Sequence, residues 1–180
     1  MIIRNVNIED AKEILDIYTP YILNTAITFE YGIPSLDQFK VRIENIIRKY
    51  PYIVAVEKNE IIGYAYVSSF KDRKAYDWSV ETSIYVKENN HHQGIGKALY
   101  LELESRCKDM HIQNLNACIA YPIQEDSYLD TSSVKFHEKL GYSMVGKFHQ
   151  CAYKFNTWYD MVWMEKSIGN HEKNPKAVFE

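Results

Sequence analysis

Residues 79–107 read SVETSIYVKENNHHQGIGKALYLELESRC. Alternating apolar positions from Val80 to Val86 run into a polar turn at residues 87–93. Gly94-Ile95-Gly96-Lys97 follows, and then Ala98, Leu99, Leu101, Leu103 and Cys107 recur with helical spacing. The order is strand, glycine turn, helix N-terminus. Glycines there let backbone N–H groups approach a ligand with no Cβ in the way. The N–H groups of the first helical turn, with the helix dipole, favour an anion at that point. The stretch therefore predicts a phosphate cradle, against the plainer reading that the glycines serve turn geometry alone. It is not a Walker loop, which needs Gly-x-x-x-x-Gly-Lys-Ser/Thr. It is not a Rossmann turn, because a third glycine is missing and the strand sits mid-chain.

With 180 residues the chain is expected to form one domain with a full core. A net charge of −3 offers no footing for nucleic acid or an anionic membrane surface. Fifteen tyrosines leave many hydroxyls in need of partners. The three cysteines, Cys107, Cys118 and Cys151, are odd in number and lack C-x-x-C spacing, which implies thiols in a reducing cytosol. No metal site is expected. The opening MIIRNVNIEDAKEIL has no long apolar core, and no apolar run approaches membrane-spanning length. A cytoplasmic protein is expected.

Along the chain, residues 2–6 read as a strand. Asn7 or Asp10 caps a helix with apolar residues at Ala11, Ile14, Leu15, Ile17 and Tyr18, interrupted at Pro20. Residues 24–34 form an extended connector. Ser35 and Gln38 make a capping box for a second helix with Phe39, Ile43, Ile46 and Ile47 on one face. Residues 52–57 and 61–69 pair as a hairpin around Lys58-Asn59-Glu60. A polar loop at 71–77 leads to the strand already described. After its helix come a strand at 115–121, a loop at 122–131, and a short helix from Ser132 or Ser133 to Gly141. Strands near 142–148 and 158–165 close the fold. The order β-α-α-β-β-β-α-β-α-β-β is an α/β chain with one mixed sheet.

Glu81 near the start of its strand, the glycine turn, and His137 on a short helix ending in Leu140-Gly141-Tyr142 occur in an order that resembles the GNAT superfamily of N-acetyltransferases. Four blocks sharpen the likeness: residues 75–81, residues 84–86, His137-Glu138-Lys139-Leu140-Gly141-Tyr142, and Lys154-Phe155 with Trp158-Tyr159-Asp160. They are similar to the phosphinothricin acetyltransferase subfamily, which acetylates the α-amino group of phosphinothricin, methionine sulfoximine or related small amino acids. The resemblance implies a GNAT acyltransferase fold, with a mixed, mostly antiparallel, splayed sheet flanked by helices. It would fill residues 1–168 as a single domain, followed by a flexible polar tail at 169–180. Acetyl-coenzyme A (acetyl-CoA) would be the co-substrate, a small-molecule amine the acceptor, and a homodimer the assembly.

The residue roles implied by the resemblance follow. Backbone groups of Ile84, Tyr85 and Val86 would polarise the thioester carbonyl and pair with the pantetheine arm. His91, His92, Gln93, Gly94, Ile95, Gly96 and Lys97 would hold the pyrophosphate. Asp130 and Ser133, at the short helix, would face the cofactor. Glu81 would take a proton from the acceptor ammonium, because only the neutral amine attacks. His137 would protonate the departing thiolate. Arg73 would fork onto an acceptor carboxylate, and Phe29 and Tyr31 would wall the acceptor pocket.

The chain departs from the family pattern in three places. His91 occupies the first position of the usual Arg/Gln-x-x-Gly-x-Gly/Ala signature. Asp130 stands where an asparagine is usual, and a carboxylate cannot donate to the pantetheine carbonyl. The loop at 122–129 is lengthened and carries Glu125 and Asp126. Two other functions compete with the favoured one. One is acetylation of a different amine, such as a peptide N-terminus or a polyamine. The other is a module that binds acyl-coenzyme A without turnover, for which Glu81 would have no use.

Overall fold

A computed structural model of the chain describes residues 1–91 and 93–179. The elements are β1 (Ile2–Asn5), α1 (Ala11–Asn24), α2 (Leu36–Ile47), β2 (Tyr52–Glu57), β3 (Glu60–Ser69), β4 (Ser79–Val86), α3 (Ile95–Asp109), β5 (Asn114–Tyr121), α4 (Ser132–Lys139), β6 (Ser143–Lys154) and β7 (Thr157–Ser167). Their order is the one the sequence implies. The strands form a seven-stranded sheet in the order β1-β2-β3-β4-β5-β7-β6. The residues group into two compact units. The first holds Met1–Ile17, Pro34–Leu115 and Ser167–Glu180; the second holds Tyr18–Ile33 and Asn116–Lys166. Among the described residues no helix is long and apolar enough to cross a membrane.

In the first unit β1, β2, β3 and β4 pair antiparallel in sequence. Lys58 and Asn59 both take positive φ (50° and 64°), as the two central residues of a tight hairpin must, and set Glu57 opposite Glu60. Arg4 forks onto Asp10 at 2.6 and 2.9 Å, while Asp10 also accepts the Asn7 N–H at 2.7 Å and so closes the turn before α1. At α2, Ser35 Oγ accepts from the Gln38 N–H and the Gln38 side chain accepts from the Ser35 N–H, which is the expected box. Phe39 and Ile43 are buried by α2, but Ile47 is 43% exposed and lies at the margin of the apolar face.

The sheet register divides the chemistry of β4 between two faces. Opposed residues share a face, and Ser68↔Glu81, Tyr66↔Ser83 and Tyr64↔Tyr85 are opposed. Glu81 therefore shares its face with a tyrosine ladder in which Tyr52, Tyr64, Tyr66 and Tyr85 stack at 4.9–6.5 Å between successive ring centroids. Val80, Thr82 and Ile84 turn the other way, towards α3. That helix approaches closely because position 63 is glycine. A Cβ there would stand 3.3 Å from both Ile95 Cγ2 and Leu99 Cδ1, and 3.2 Å from the Tyr85 carbonyl oxygen. Tyr100 Oη, also on α3, donates to Thr82 Oγ1 at 3.3 Å.

In the second unit, α1 was expected to break at Pro20 but continues to Asn24. Proline forfeits one i→i−4 bond. The turn beyond it is held from outside the helix. Ile22 is 1% exposed, and Lys154 Nζ donates to the carbonyls of Ile22, Thr25 and Thr28 at 2.8, 2.8 and 2.7 Å. Strands β6 and β7 also run further than expected. Phe155 and Asn156, at φ 50° and 58°, form their hairpin. An irregularity between Phe148 and Ala152 puts Gln150 at φ 48°, and the buried Asp160 gathers it: Gln150 N–H donates to Oδ1 at 2.8 Å and Lys147 Nζ pairs with Oδ2 at 2.7 Å. The lengthened loop is tied in by Asp126, which accepts from Tyr128 and Leu129 N–H and from Tyr159 Oη at 2.7, 2.9 and 2.8 Å.

Candidate active site

Glu81 is half-buried, and burial raises its carboxyl above the ordinary value, with the charge of Lys71 pulling back. Desolvation disfavours the anion, so the anion that does form holds a proton more strongly than a surface glutamate. Five residues on, β4 ends at Val86 and a single helical turn at Glu88–Asn90 leads to α3. Gly94 caps α3 at φ 81°, in the left-handed region, and a Cβ there would meet no atom of the described residues within 4 Å. Among the described residues the cap is therefore open. Ile95, Gly96 and Lys97 begin the helix, and no residue four back within it can accept their N–H groups. Ile95 is 4% exposed and anchors the turn through its contact at Gly63.

Within the first unit, Glu81 and the strand end at Ile84, Tyr85 and Val86 lie along β4, and the turn with His91, Gln93, Gly94, Ile95, Gly96 and Lys97 follows it. His92 lies outside the described residues. Along β4 the backbone groups of alternate residues face β3, and those of Ile84 and Val86 face the other side. His91 does something the sequence did not suggest. Its Nε2 lies 3.0 Å from the Val86 carbonyl oxygen, so that nitrogen carries the hydrogen, and the ring closes the turn on itself. Gln93 Nε2 donates to the Asn89 carbonyl at 3.3 Å. Arg73 is exposed and opens the short turn Lys74–Tyr76, where Tyr76 N–H donates to the Arg73 carbonyl at 2.9 Å.

The other expected site residues belong to the second unit. His137 is 3% exposed; its Nδ1–H donates to the Ser133 carbonyl at 2.7 Å, and its ring stands edge-on to Tyr142 at 5.1 Å. Burial lowers its pKa and outweighs that hydrogen bond, so the ring is neutral at pH 7 with its hydrogen on Nδ1. Asp130 is exposed and accepts the Ser132 N–H at 2.8 Å, anchoring the start of α4; Ser133 lies in the first turn of that helix. Phe29 packs against the cluster of Ala26, Ala120, Leu129 and Tyr159. Tyr31 is 69% exposed, and its hydroxyl donates to the Tyr153 carbonyl.

Two contributors went unassigned in the sequence. Lys154 was visible only as part of a resembling block, yet its ammonium fixes the connector that carries Phe29 and Tyr31. Lys71 influences Glu81 from the loop between β3 and β4. A lysine closing an apolar strand was a usable signal for the first. Nothing local marked the second.

The acetyltransferase (GNAT) domain family matches residues 3–163. A phosphinothricin N-acetyltransferase of Streptomyces viridochromogenes is 28% identical over 166 residues, spanning 92% of this chain and 87% of that protein. An L-methionine sulfoximine/L-methionine sulfone acetyltransferase of Pseudomonas aeruginosa is 26% identical over 168 residues, spanning 92% of this chain and 94% of that protein. The crystal structure of a phosphinothricin acetyltransferase from Sinorhizobium meliloti in complex with AcCoA superposes with a TM-score of 0.88. It is 32% identical and covers 97% of this chain and 92% of that one.

Proposed function

We propose that this chain, which belongs to the GNAT acetyltransferase family, moves the acetyl group of acetyl-CoA to the α-amino group of a small amino acid or analogue of the phosphinothricin and methionine sulfoximine type. The observation that carries the mechanism is Glu81, a half-buried carboxyl of raised pKa on the strand that runs into the open glycine cap of α3. An α-amine is mostly protonated at neutral pH, and the ammonium has no lone pair to attack with. Glu81 accepts that proton, directly or through water. The amine nitrogen then bonds to the thioester carbonyl carbon and gives up its second proton to water, or to Glu81 once that group has passed the first proton to solvent; the carbon–sulfur bond breaks, and the thiolate leaves.

The other roles follow from the chain's own groups. Of the three strand-end residues, Ile84 and Val86 have the backbone groups that point away from β3; these orient the pantetheine arm and take up charge on the carbonyl oxygen, with Tyr85 between them. The N–H groups of Ile95, Gly96 and Lys97 hold the pyrophosphate at the helix N-terminus. His91 keeps this turn closed through Val86. Arg73, on an exposed loop, takes the acceptor carboxylate. His137 is assigned to holding α4 and the Gly141-Tyr142 turn rather than to proton donation.

For assembly, we assign a homodimer to the β6 edge. That strand ends the sheet, and Met144, Val145, Phe148 and Tyr153 on it, with Trp158 on β7, are each 45–59% exposed. Cys107, Cys118 and Cys151 form no disulfide, which suits a reducing cytoplasm.

The test of the function is a thioester-release assay with phosphinothricin, L-methionine sulfoximine and L-methionine sulfone as acceptors. Turnover on at least one, with a kcat/KM well above that for a peptide N-terminus or a polyamine, is expected. Silence on all three, with turnover on a peptide or polyamine, refutes the acceptor and leaves the reaction type. For the dimer, sedimentation equilibrium should show a two-chain mass that Phe148→Lys converts to one.

A further inference from the structure

The family match ends at residue 163, and residues beyond 168 were expected to hang free as a polar tail. The structure gives them an ordered set of contacts in the first unit. Ile168 N–H donates to the Gln113 carbonyl at 2.8 Å, and His171 N–H donates to Gln113 Oε1 at 3.3 Å. His171 Nε2 lies 2.9 Å from Asn114 Oδ1, an acceptor, so it donates. Gly169 packs so tightly on the Gln113 amide that a Cβ would stand 1.9 Å from Oε1. Further on, the Trp78 indole N–H donates to the Lys176 carbonyl at 2.7 Å. Val178 is 7% exposed, Phe179 meets the Tyr50 ring edge-on at 5.7 Å, and Lys49 Nζ lies 4.8 Å from the Phe179 ring centroid.

These contacts fall on both stems of one loop. Trp78 immediately precedes β4, and its carbonyl accepts the N–H groups of Gln113 and Asn114 at 2.8 and 3.1 Å. Asn114 Nδ2 donates to Ser79 Oγ at 3.2 Å. On the other stem, Tyr50 Oη and Ser69 Oγ are 3.0 Å apart, and Ser69 ends β3 opposite Val80. Between the stems lies the exposed loop with Lys71, whose charge acts on Glu81, and Arg73.

We propose that residues 168–179 are a strap that clamps both stems of the 70–78 loop and so holds in place Lys71, whose charge acts on Glu81, and Arg73. The strap sets affinity for the acceptor and leaves affinity for acetyl-CoA alone, because nothing in it reaches the Gly94 turn among the described contacts. The kinetic part rests on the reading of Glu81 and Arg73 given above; the clamping itself does not. A hydrogen bond removed at Trp78 frees one stem, and loss of the Phe179 ring frees the other. Backbone segments released in this way open locally without global unfolding.

Three variants test this: a stop after Ile168, Trp78→Phe, which keeps an aromatic ring but no N–H, and Phe179→Ala. Native-state hydrogen exchange should accelerate at least tenfold across residues 70–79 in each, with amides of β2 and α3 unchanged. With L-methionine sulfone as acceptor, its KM should rise about five- to twentyfold while the KM for acetyl-CoA stays within twofold. Unchanged exchange at residues 70–79 in Trp78→Phe and Phe179→Ala overturns the strap, even if the truncated chain fails to fold. Faster exchange with an unchanged acceptor KM, or an equal rise in both KM values, overturns its role in acceptor affinity. A wild-type chain silent on L-methionine sulfone counts against that acceptor alone, and the exchange data still decide the clamp.

Discussion

Glu81→Gln is the substitution that most directly tests the mechanism, because it keeps shape and hydrogen-bonding capacity while abolishing basicity. At pH 7 at most about one-tenth of an α-amine is neutral, given a pKa near 8 or higher. A variant without a base must draw on that fraction, which alone costs at least about tenfold. Removal of the second proton during attack, by the same carboxylate once it has passed the first proton to solvent, adds to this, and general-base catalysis contributes about 10²–10⁴-fold. The expected loss in kcat/KM for the acceptor at pH 7 is therefore about 10²–10⁴-fold. The part due to amine ionisation disappears as the solution deprotonates the amine, so the deficit should narrow by about tenfold between pH 7 and pH 9.

The direction of the wild-type profile follows from burial. A carboxyl whose pKa is raised is still protonated at pH values where an exposed glutamate is ionised, so activity should fall on the acid side above the usual carboxylate range. Lys71 opposes that shift, and Lys71→Met should move the acid limb further up. The assay is steady-state thioester release from pH 5.5 to 9.5, with acetyl-CoA saturating. If Glu81→Gln keeps more than a third of wild-type kcat/KM at pH 7, Glu81 is not the base and the mechanism fails.

Three further outcomes are expected. Gly94→Ala forces a side chain into φ 81°, at a cost of about 1–2 kcal/mol, and should raise the KM for acetyl-CoA far more than that for the acceptor. Lys154→Met leaves the carbonyls of Ile22, Thr25 and Thr28 without their buried donor, and urea unfolding should report a loss of roughly 2–4 kcal/mol. His137 has a folded pKa below the 6.5 of an unfolded histidine, so below pH 6.5 the unfolded chain gains a proton that the native chain resists. Stability should be full above pH 6.5 and fall as the pH drops through the window below it, and urea midpoints in His137→Gln should lose that slope.

Much of the fold was legible because it was written locally. Ser35 with Gln38 and Lys58 with Asn59 each carry their conformation in neighbouring residues, and the structure realises both. The glycine turn was legible for the same reason, since only a residue tolerant of φ 81° suits the cap before Ile95. The misreadings share the opposite property. Pro20 looked like a stop because Lys154, more than a hundred residues away in sequence, supplies what keeps the following turn in place. Strand β6 looked short because the irregularity at Gln150 is held by Asp160 from the facing strand. The residues beyond 168 looked unattached because their partners, Trp78, Gln113 and Tyr50, lie far earlier in the chain. In each case a contact from another element of the chain overrode a local signal.

The burial of His137 bears on the chemistry that the resemblance suggested. A general acid must arrive carrying the proton it gives. Here the neutral ring keeps its hydrogen on Nδ1, donated to Ser133, and charging Nε2 means placing a cation in a site 3% exposed. The leaving group does not demand such an acid. A thiol has a pKa near 8.5, so releasing it as thiolate at pH 7 costs only about 2 kcal/mol, or roughly thirtyfold in rate. An alkoxide or amide anion would cost far more and would require an acid. The amine is the harder partner, because without deprotonation it cannot attack at all. Catalytic demand therefore falls on a base, and Glu81 has the burial that makes a carboxylate a better one. With His137 proposed as a structural residue of α4, the proton chemistry we propose is that of a single carboxylate acting on the nucleophile, and the departing sulfur takes its proton from water.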